Sequence, residues 1–293
     1  MEWRCAGLGW PDGKPELRWA GGRRSALAYG TDIGFRAVGE RRCVGARGNP
    51  CPLRAVVPGR ATQARCAECA RLDRAFSVAA DGVPDDPRTY RVYLAWFGAG
   101  LVKVGITAEE RGAVRLLEQG AVAFCWLGRG PLMAARRTEE LLRAALGVPD
   151  RVPYARKRGV RAALPGRPER AGELGELYRR AVALDGWAEA LEQVAFEAVD
   201  HSEAFGLGAR GGPAPGGGVV RELVDGGAVA GRLVAAAGPD LHLETADGGA
   251  LVVDTRVLVG WELVAAGAGA GVTVPVRAVE GAGGGGVEQD GLF

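Results

Sequence analysis

The chain has 293 residues, of which 47% are hydrophobic and 25% charged, and its formal net charge is +2. This apolar content is enough to fill a core, but no apolar run approaches the roughly 18 residues of a membrane span, which excludes a membrane-spanning protein. The start of the chain lacks the features of a secretory signal, so we expect a cytoplasmic protein without a membrane partner. Its six cysteines should then be reduced or metal-bound.

The charges are unevenly distributed along the chain. The first 170 residues contain 30 Lys and Arg against 17 Asp and Glu, and the remainder contains 7 against 18. A basic half is the electrostatic feature expected of a nucleic-acid-binding protein. The alternative is that the two halves pair with each other.

Residues 1–42 are predicted to be rich in β-structure. Short apolar runs alternate with Gly, Pro and Asp, which predicts three or four strands. The aromatic side chains of this segment are expected in the core, with stacking platforms for bases as the alternative. They are Trp3, Trp10, Trp19, Tyr29 and Phe35.

Four cysteines define the next segment, residues 43–87. They are Cys43, Cys51, Cys66 and Cys69, in the spacing C-x7-C-x14-C-x2-C. The last pair can place both sulfurs on one metal from a single turn, and four sulfur ligands are typical of a closed, structural zinc site. The sequence therefore predicts a zinc knuckle. A redox pair, an iron–sulfur cluster and four unrelated buried cysteines are the alternatives.

Arginines surround the predicted zinc site. Residues 36–74 contain nine arginines and only three acidic residues. A zinc knuckle framed in this way is expected to contact phosphate groups. Six of these arginines lie between or beside the cysteines: Arg41, Arg42, Arg47, Arg54, Arg60 and Arg65. The remaining cysteines, Cys5 and Cys125, are expected in the core.

Residues 88–160 begin with a predicted hairpin. Alternation over residues 92–97 indicates a strand, Gly98 to Gly100 form a turn, and a second strand runs to Thr107. Antiparallel pairing would bring Tyr93 and Lys103 close together.

Two helices with candidate polar residues follow the hairpin. Arg111 and Arg115 are four residues apart and share a face of the first helix. In the second helix, Glu139 falls on the apolar, inward stripe and Glu140 lies more to the side. An inward carboxylate requires an arginine or a cation as its partner.

The stretch from Tyr90 to Leu146 resembles the GIY-YIG nuclease superfamily. V-Y-L at residues 92–94 stands where G-I-Y stands, and K-V-G-I-T at residues 103–107 matches a divergent branch that has K-I-G-x-T in place of Y-I-G. The whole chain also resembles an uncharacterised bacterial family with four cysteines before such a core and R-L-L-E-Q-G-A after it. The resemblance implies a small sheet with flanking helices.

The superfamily resemblance also implies hydrolysis of DNA with one divalent metal. It assigns the activation of water to Tyr93, the phosphate contact to Arg115 or Arg111, and Mg²⁺ or Mn²⁺ to Glu139. A single carboxylate together with phosphate oxygens can hold a hydrated Mg²⁺, and such a metal can activate water. Thr107 would donate a hydrogen bond to phosphate.

Two departures from the family pattern bear on activity. Lys103 replaces the tyrosine of the second motif and would contact phosphate, or act as a base if its pKa is lowered. Arg91 and Val92 occupy the place of the first motif's glycine. The alternatives to a nuclease are therefore a non-catalytic, zinc-containing nucleic-acid-binding protein with a nuclease-like fold, and a zinc-stabilised protein-interaction module.

A basic loop and a helical segment, residues 161–210, are predicted after the core. The loop over residues 151–167 would grip backbone phosphates through Arg156, Lys157 and Arg158. Apolar periodicity predicts helix from Glu173 to Ala204, interrupted at Asp185 and Gly186.

Residues 211–280 form a predicted small antiparallel β segment, which follows a Gly- and Pro-rich linker. It would either stand alone as a barrel or sandwich, or complete the amino-terminal strands. Residues 281–293 are a glycine-rich, flexible tail. Their last residues resemble the Q-x-x-L-F peptide that docks bacterial DNA-processing proteins to the replication sliding clamp, with Gln289, Leu292 and Phe293 as contacts.

The predicted fold class is α+β. It comprises a GIY-YIG-like small sheet with flanking helices, a four-cysteine zinc knuckle, and antiparallel β segments at both ends of the chain. The predicted function is nuclease action on DNA in repair, defence or replication, with DNA a better substrate than RNA. The cofactors would be structural Zn²⁺ and catalytic Mg²⁺ or Mn²⁺.

Overall fold

The computed structural model describes residues 3–75, 86–208 and 217–279. Within these residues the protein has a mixed α+β architecture with three sheets and six α-helices. None of the helices in this part of the chain is both long and apolar enough to cross a membrane.

The elements follow one another in three groups. The amino-terminal group consists of β1 (Cys5–Gly9), β2 (Glu16–Trp19), β3 (Arg24–Ala26), β4 (Asp32–Val38) and α1 (Ala67–Ala75). The central group consists of β5 (Thr89–Gly98), β6 (Leu101–Ala108), α2 (Val114–Gln119), β7 (Ala123–Pro131), α3 (Leu132–Leu146), α4 (Tyr154–Val160), α5 (Arg167–Val182), β8 (Glu192–Gln193) and β9 (Val199–Asp200). The carboxy-terminal group consists of β10 (Gly218–Val220), β11 (Ala228–Ala237), β12 (Asp240–Glu244), β13 (Ala250–Asp254), α6 (Thr255–Leu258), β14 (Glu262–Ala265) and β15 (Val276–Ala278).

The central sheet carries the candidate site. Its order is β6-β5-β7-β8, and β9 also pairs with β7. Side chains alternate between the two faces of β5. Val92, Leu94 and Trp96 share a hydrophobic cluster with residues of α3 and α5, whereas Tyr93 and Phe97 belong to a second cluster, which includes residues of α2 and α4. Both faces of β5 are buried because helices cover both sides.

The two ends of the chain share a seven-stranded sheet. Its order is β14-β4-β11-β12-β13-β10-β15, so the amino-terminal strand β4 lies between two carboxy-terminal strands. All of its pairings are antiparallel except that of β10 with β13. The carboxy-terminal segment is therefore not wholly antiparallel, as predicted, because β10 joins the sheet beside β13 in the same direction.

The amino-terminal strands β1, β2 and β3 form a separate antiparallel sheet. Trp10 is buried, and its Nε1 donates to the carbonyl of Gly238 at 3.2 Å. Phe35 is also buried, whereas Trp19 and Tyr29 are half-buried. Trp3 is exposed, with Arg23 stacked 4.4 Å from its ring centroid. Most of these aromatic residues thus contribute to packing.

The prediction of a basic loop over residues 151–167 was wrong, because α4 and a 3-10 helix over Arg161–Ala163 occupy much of it. Lys157 and Arg158 are buried on α4, and Arg161 is buried in the 3-10 helix. Their charges made the segment look solvated, but acidic residues much later in the chain neutralise part of that charge.

The prediction of helix through to Ala204 was also wrong. Helix α5 ends at Val182, and Trp187 Nε1 then donates to the carbonyl of Ala181 at 3.0 Å. The following chain supplies β8 and β9 to the open edge of β7. Strand pairing at a sheet edge therefore overrides the apolar periodicity of this stretch.

Candidate functional site

The four predicted metal-ligating cysteines form one cluster. Cys43 and Cys51 lie in the loops after β4, Cys66 precedes α1, and Cys69 is in its first turn. Their Sγ atoms all lie within 4.8 Å of one another. Four sulfurs so close together can bind a metal such as zinc.

Backbone N–H groups favour the thiolate form of this cluster. Gly45 and Cys66 direct their N–H groups at Cys43 Sγ, at 3.4 and 3.2 Å. A hydrogen bond from the backbone of Ala55 is the main cause that lowers the pKa of Cys51 to about 6. Because the thiolate is the metal-binding form, these bonds suit a metal site. Gly45 has φ +82°, and a Cβ there would lie 1.9 Å from Asn49 O.

The arginines around the cysteines play different parts. Arg41 is fully buried and donates to five backbone carbonyls, those of Pro58, Gly59, Ala61, Arg256 and Val259. It therefore ties the cysteine loops to the residues around α6. Arg65 bonds to Gly45 O and pairs with Asp73. Arg42 is half-buried, and Arg47, Arg54 and Arg60 are exposed.

The second cluster begins at the β5–β6 hairpin. Tyr93 pairs with Gly105 across the two strands, and Lys103 pairs with Ala95. The ring of Tyr93 lies directly over Gly105, where a Cβ would be 2.4 Å from the tyrosine oxygen. Lys103 Nζ lies 5.5 Å from the centre of the same ring and donates to Asp150 O at 3.0 Å. The hairpin thus brings Tyr93 and Lys103 together, as the sequence predicted.

Glu139 and Lys103 influence each other electrostatically. Glu139 is half-buried on α3, whereas Glu140 is exposed and pairs with Arg143. Burial raises the pKa of Glu139, and the charge of Lys103 opposes that rise. Burial and the charge of Arg115 lower the pKa of Lys103 to about 8, which Glu139 opposes. The cluster therefore combines an inward carboxylate with a readily neutralised ammonium.

The predicted phosphate contacts of the hairpin and α2 are arranged differently. Arg111 precedes α2, because the helix begins only at Val114, yet both Arg111 and Arg115 reach Glu118, at 2.5 and 3.7 Å. Thr107 is buried, and its Oγ1 has a long 3.5 Å contact with Ala108 O. The two arginines are thus more accessible than the threonine.

Sequence reasoning missed Gln119, which the structure places against Tyr93. Gln119 is the last residue of α2 and is buried. Its Nε2 donates to Tyr93 Oη at 2.8 Å, and its carbonyl accepts from Lys157 Nζ at 2.9 Å. The only sequence signal was its position just before Gly120, at the end of the helix. This residue fixes the orientation of the tyrosine hydroxyl.

The basic residues of α4 are mostly directed inward. Arg158 forms ion pairs with Asp240 and Asp254, at 2.6 and 2.7 Å. Lys157 Nζ lies 3.8 Å from the centre of the Phe97 ring, and burial is the main cause that lowers its pKa to about 6. Of the three residues predicted to grip phosphate here, only Arg156 is exposed. The candidates for the sliding clamp, Gln289, Leu292 and Phe293, lie outside the described residues.

The fold and the site together define an α+β protein with a candidate metal centre and a polar cluster at a hairpin. The chain belongs to the family described as "Protein of unknown function (DUF2797)", whose profile matches residues 30–263. The match includes all four cysteines and every residue of the hairpin cluster. Neither the curated proteins nor the solved structures contain a match to this chain.

Proposed function

We propose that this protein is a divalent-metal-dependent nuclease that hydrolyses phosphodiester bonds in DNA and contains a structural zinc ion. The observation that carries the proposal is the convergence of Tyr93, Lys103, Arg115 and Glu139 on the β5–β6 hairpin. Arg115 and Glu139 both act electrostatically on Tyr93 and on Lys103. These are also the four positions to which the resemblance to GIY-YIG nucleases gives roles.

Each side chain of the hairpin cluster is suited to one part of the reaction. Glu139 offers the carboxylate oxygens that Mg²⁺ and Mn²⁺ prefer. Such an ion, when bound, stabilises charge on phosphate oxygens and lowers the pKa of a coordinated water. Arg115, with Arg111 beside it, presents the planar donors that match a phosphate. Lys103 is mostly protonated below its pKa of about 8, so near neutral pH it contacts phosphate as a cation.

Tyr93 is the group that orients the attacking water. Gln119 Nε2 donates to Tyr93 Oη at 2.8 Å. The phenol oxygen is then an acceptor from Gln119, and its own hydrogen is free for a second partner. Gln119 is therefore a positioning residue, and Gln119→Leu is expected to lower the cleavage rate while leaving substrate binding unchanged.

The zinc ion serves the scaffold in this proposal. Four thiolates leave no open position for substrate or water, so a zinc ion bound by them is structural. The test is metal content after purification. About one zinc per chain is expected in the wild type and in the Cys125→Ser control, and none in Cys66→Ser. Iron in place of zinc would reassign the cluster, and equal zinc in both variants would contradict this ligand set.

A second function has one observation in its favour. Tyr93 is only 1% exposed, which suits a core residue better than a group that meets solvent and substrate. A nuclease-like fold that binds nucleic acid without cleaving it would keep the arginines and need no accessible tyrosine.

Incubation with labelled DNA and RNA substrates separates the two functions. Single strands, duplexes, flaps and branched forms are supplied with Mg²⁺ or Mn²⁺. A nuclease produces cleavage that requires the added ion, with DNA cut faster than RNA. Salt-sensitive binding without cleavage of any substrate would instead establish the binding protein.

A further inference from the structure

The cysteine loops present a surface that packing inside the protein does not explain. Leu53 is 70% exposed and Val56 is 53% exposed, although both are aliphatic. Arg42 lies beside them, because it bridges to Val56 through the backbone and its Nη1 donates to Arg54 O at 3.0 Å. Arg42, Leu53, Arg54, Val56 and the exposed Arg60 are called the outer knuckle surface here.

Internal contacts hold the outer knuckle surface firmly in place. The carbonyls of Pro58, Gly59 and Ala61, around Arg60, are bound by the buried guanidinium of Arg41. Arg54 has φ +45°, a strained conformation for a residue with a side chain. Exposed aliphatic groups on a strained but well-anchored loop are typical of a binding surface.

The charge of this surface indicates the chemistry of its partner. Among the residues that the structure describes, neither Arg54 nor Arg60 forms an ion pair. Two acidic residues mark its border: Glu40 pairs with Arg42, and Glu222 Oε2 lies 3.4 Å from the position of a Cβ on Gly59. The surface is therefore cationic at its centre and complementary to a polyanion.

We propose that the outer knuckle surface binds single-stranded nucleic acid next to the nuclease site. Leu53 and Val56 pack against the faces of unstacked bases, and the arginines contact the phosphates on either side. A duplex keeps its bases stacked and offers these aliphatic groups nothing. This inference rests on the proposed function and extends it, because it selects substrates that contain an unpaired strand.

Binding is measured by fluorescence anisotropy with a labelled DNA single strand and a duplex of the same sequence. The protein carries Glu139→Gln so that it does not cleave the probe. We expect the single strand to bind more tightly than the duplex. Leu53→Ser/Val56→Ser should weaken single-strand binding about ten-fold, the loss expected when a buried aliphatic side chain no longer leaves water. Duplex binding should be unchanged.

Two further variants make the test specific. Arg54→Ala/Arg60→Ala should lower the slope of log affinity against log salt by about two, one for each lost phosphate contact. Met133→Ser/Phe196→Ser removes two other exposed apolar groups and should bind like the starting protein. Equal zinc content in every variant establishes that the knuckle is intact.

The outcomes separate this inference from the proposed function. Equal affinity for single strand and duplex, or wild-type binding by the Leu53→Ser/Val56→Ser variant, would overturn the inference even if the protein cleaves DNA. The second result would assign the aliphatic groups to a protein partner. Single-strand binding that depends on Leu53 and Val56, in a protein that cleaves nothing, would support the inference and refute the nuclease.

Discussion

Two arginine-rich segments of this chain look alike in sequence and differ in structure. Within residues 36–74, Arg54 and Arg60 are exposed on the cysteine loops. Within residues 151–170, Arg158 and Arg161 are buried, and both form ion pairs with Asp240 of β12. The first segment keeps much of its charge for a partner, and the second uses its charge to join α4 to the carboxy-terminal sheet.

The difference shows that local charge density does not determine exposure. The acid that neutralises the second segment lies about 80 residues later, beyond the reach of any reading of the segment itself. Arg41 is the exception within the first segment, because it is buried against carbonyls instead of carboxylates. Tertiary partners therefore decide which arginines remain available to phosphate.

The largest expected effect is on the buried ion pairs. Burial alone would raise the pKa of Asp240, but Arg161 and Arg158 outweigh it and hold the pKa at about 2. Asp240→Ala leaves both arginines buried with fewer partners, so the free energy of unfolding should fall by about 3–5 kcal/mol. Urea denaturation measures the change. Glu140→Ala, which removes an exposed partner of Arg143, is the control and should leave stability unchanged. Equal effects of the two variants would refute the contrast.

The next effect tests the buried arginine of the first segment. Arg41→Met should destabilise the protein by on the order of 3 kcal/mol, because several buried carbonyls lose their donor. Arg42→Met, at the neighbouring half-buried position, should cost much less. Thermal unfolding of the two variants provides the comparison, and a larger loss for Arg42→Met would contradict the role given to Arg41.

The third effect is on titration near the second segment. The chain has three lysines, Lys14, Lys103 and Lys157, so the lysine side-chain resonances can be followed separately by NMR. Lys157 is expected to titrate near pH 6 and Lys103 near pH 8, since burial disfavours their charged forms.

Two variants sharpen the titration. Arg115→Ala should raise the pKa of Lys103, because it removes a positive charge, and Glu139→Gln should lower it, because it removes a negative one. If protonated Lys103 contacts phosphate, cleavage falls as the pH rises through about 8. Cleavage that increases over this range would assign Lys103 the role of a base.

The smallest effect completes the comparison. Arg54→Ala and Arg60→Ala should leave the unfolding midpoint unchanged, because neither side chain has an ion-pair partner among the described residues. A clear loss of stability in either variant would show that these arginines, like Arg158, serve the fold.

Local patterns predicted the parts of the structure that depend on short spacing. The C-x2-C pair located a turn, and the four sulfurs indeed lie together. The alternation of β5 and the inward position of Glu139 followed from residue periodicity. Each of these features is set by residues close together in the chain, where geometry leaves few alternatives.

Features that depend on distant residues could not be read in this way. The burial of Lys157 and Arg158 requires strands that begin about 80 residues later. The pairing of β8 and β9 with β7 replaced a predicted helix. Gln119 carried no motif, and its role appears only when α2 packs over Tyr93.

The most direct test of the nuclease compares two adjacent glutamates on α3. Glu139 is half-buried and interacts electrostatically with Lys103, whereas Glu140 is exposed. Single-turnover cleavage of the best DNA substrate is measured for Glu139→Gln and Glu140→Gln over a range of Mg²⁺ and Mn²⁺ concentrations. The nuclease account predicts at least a hundred-fold loss, on the order of one lost catalytic interaction, for Glu139→Gln alone. Equal rates in the wild type and both variants would contradict it.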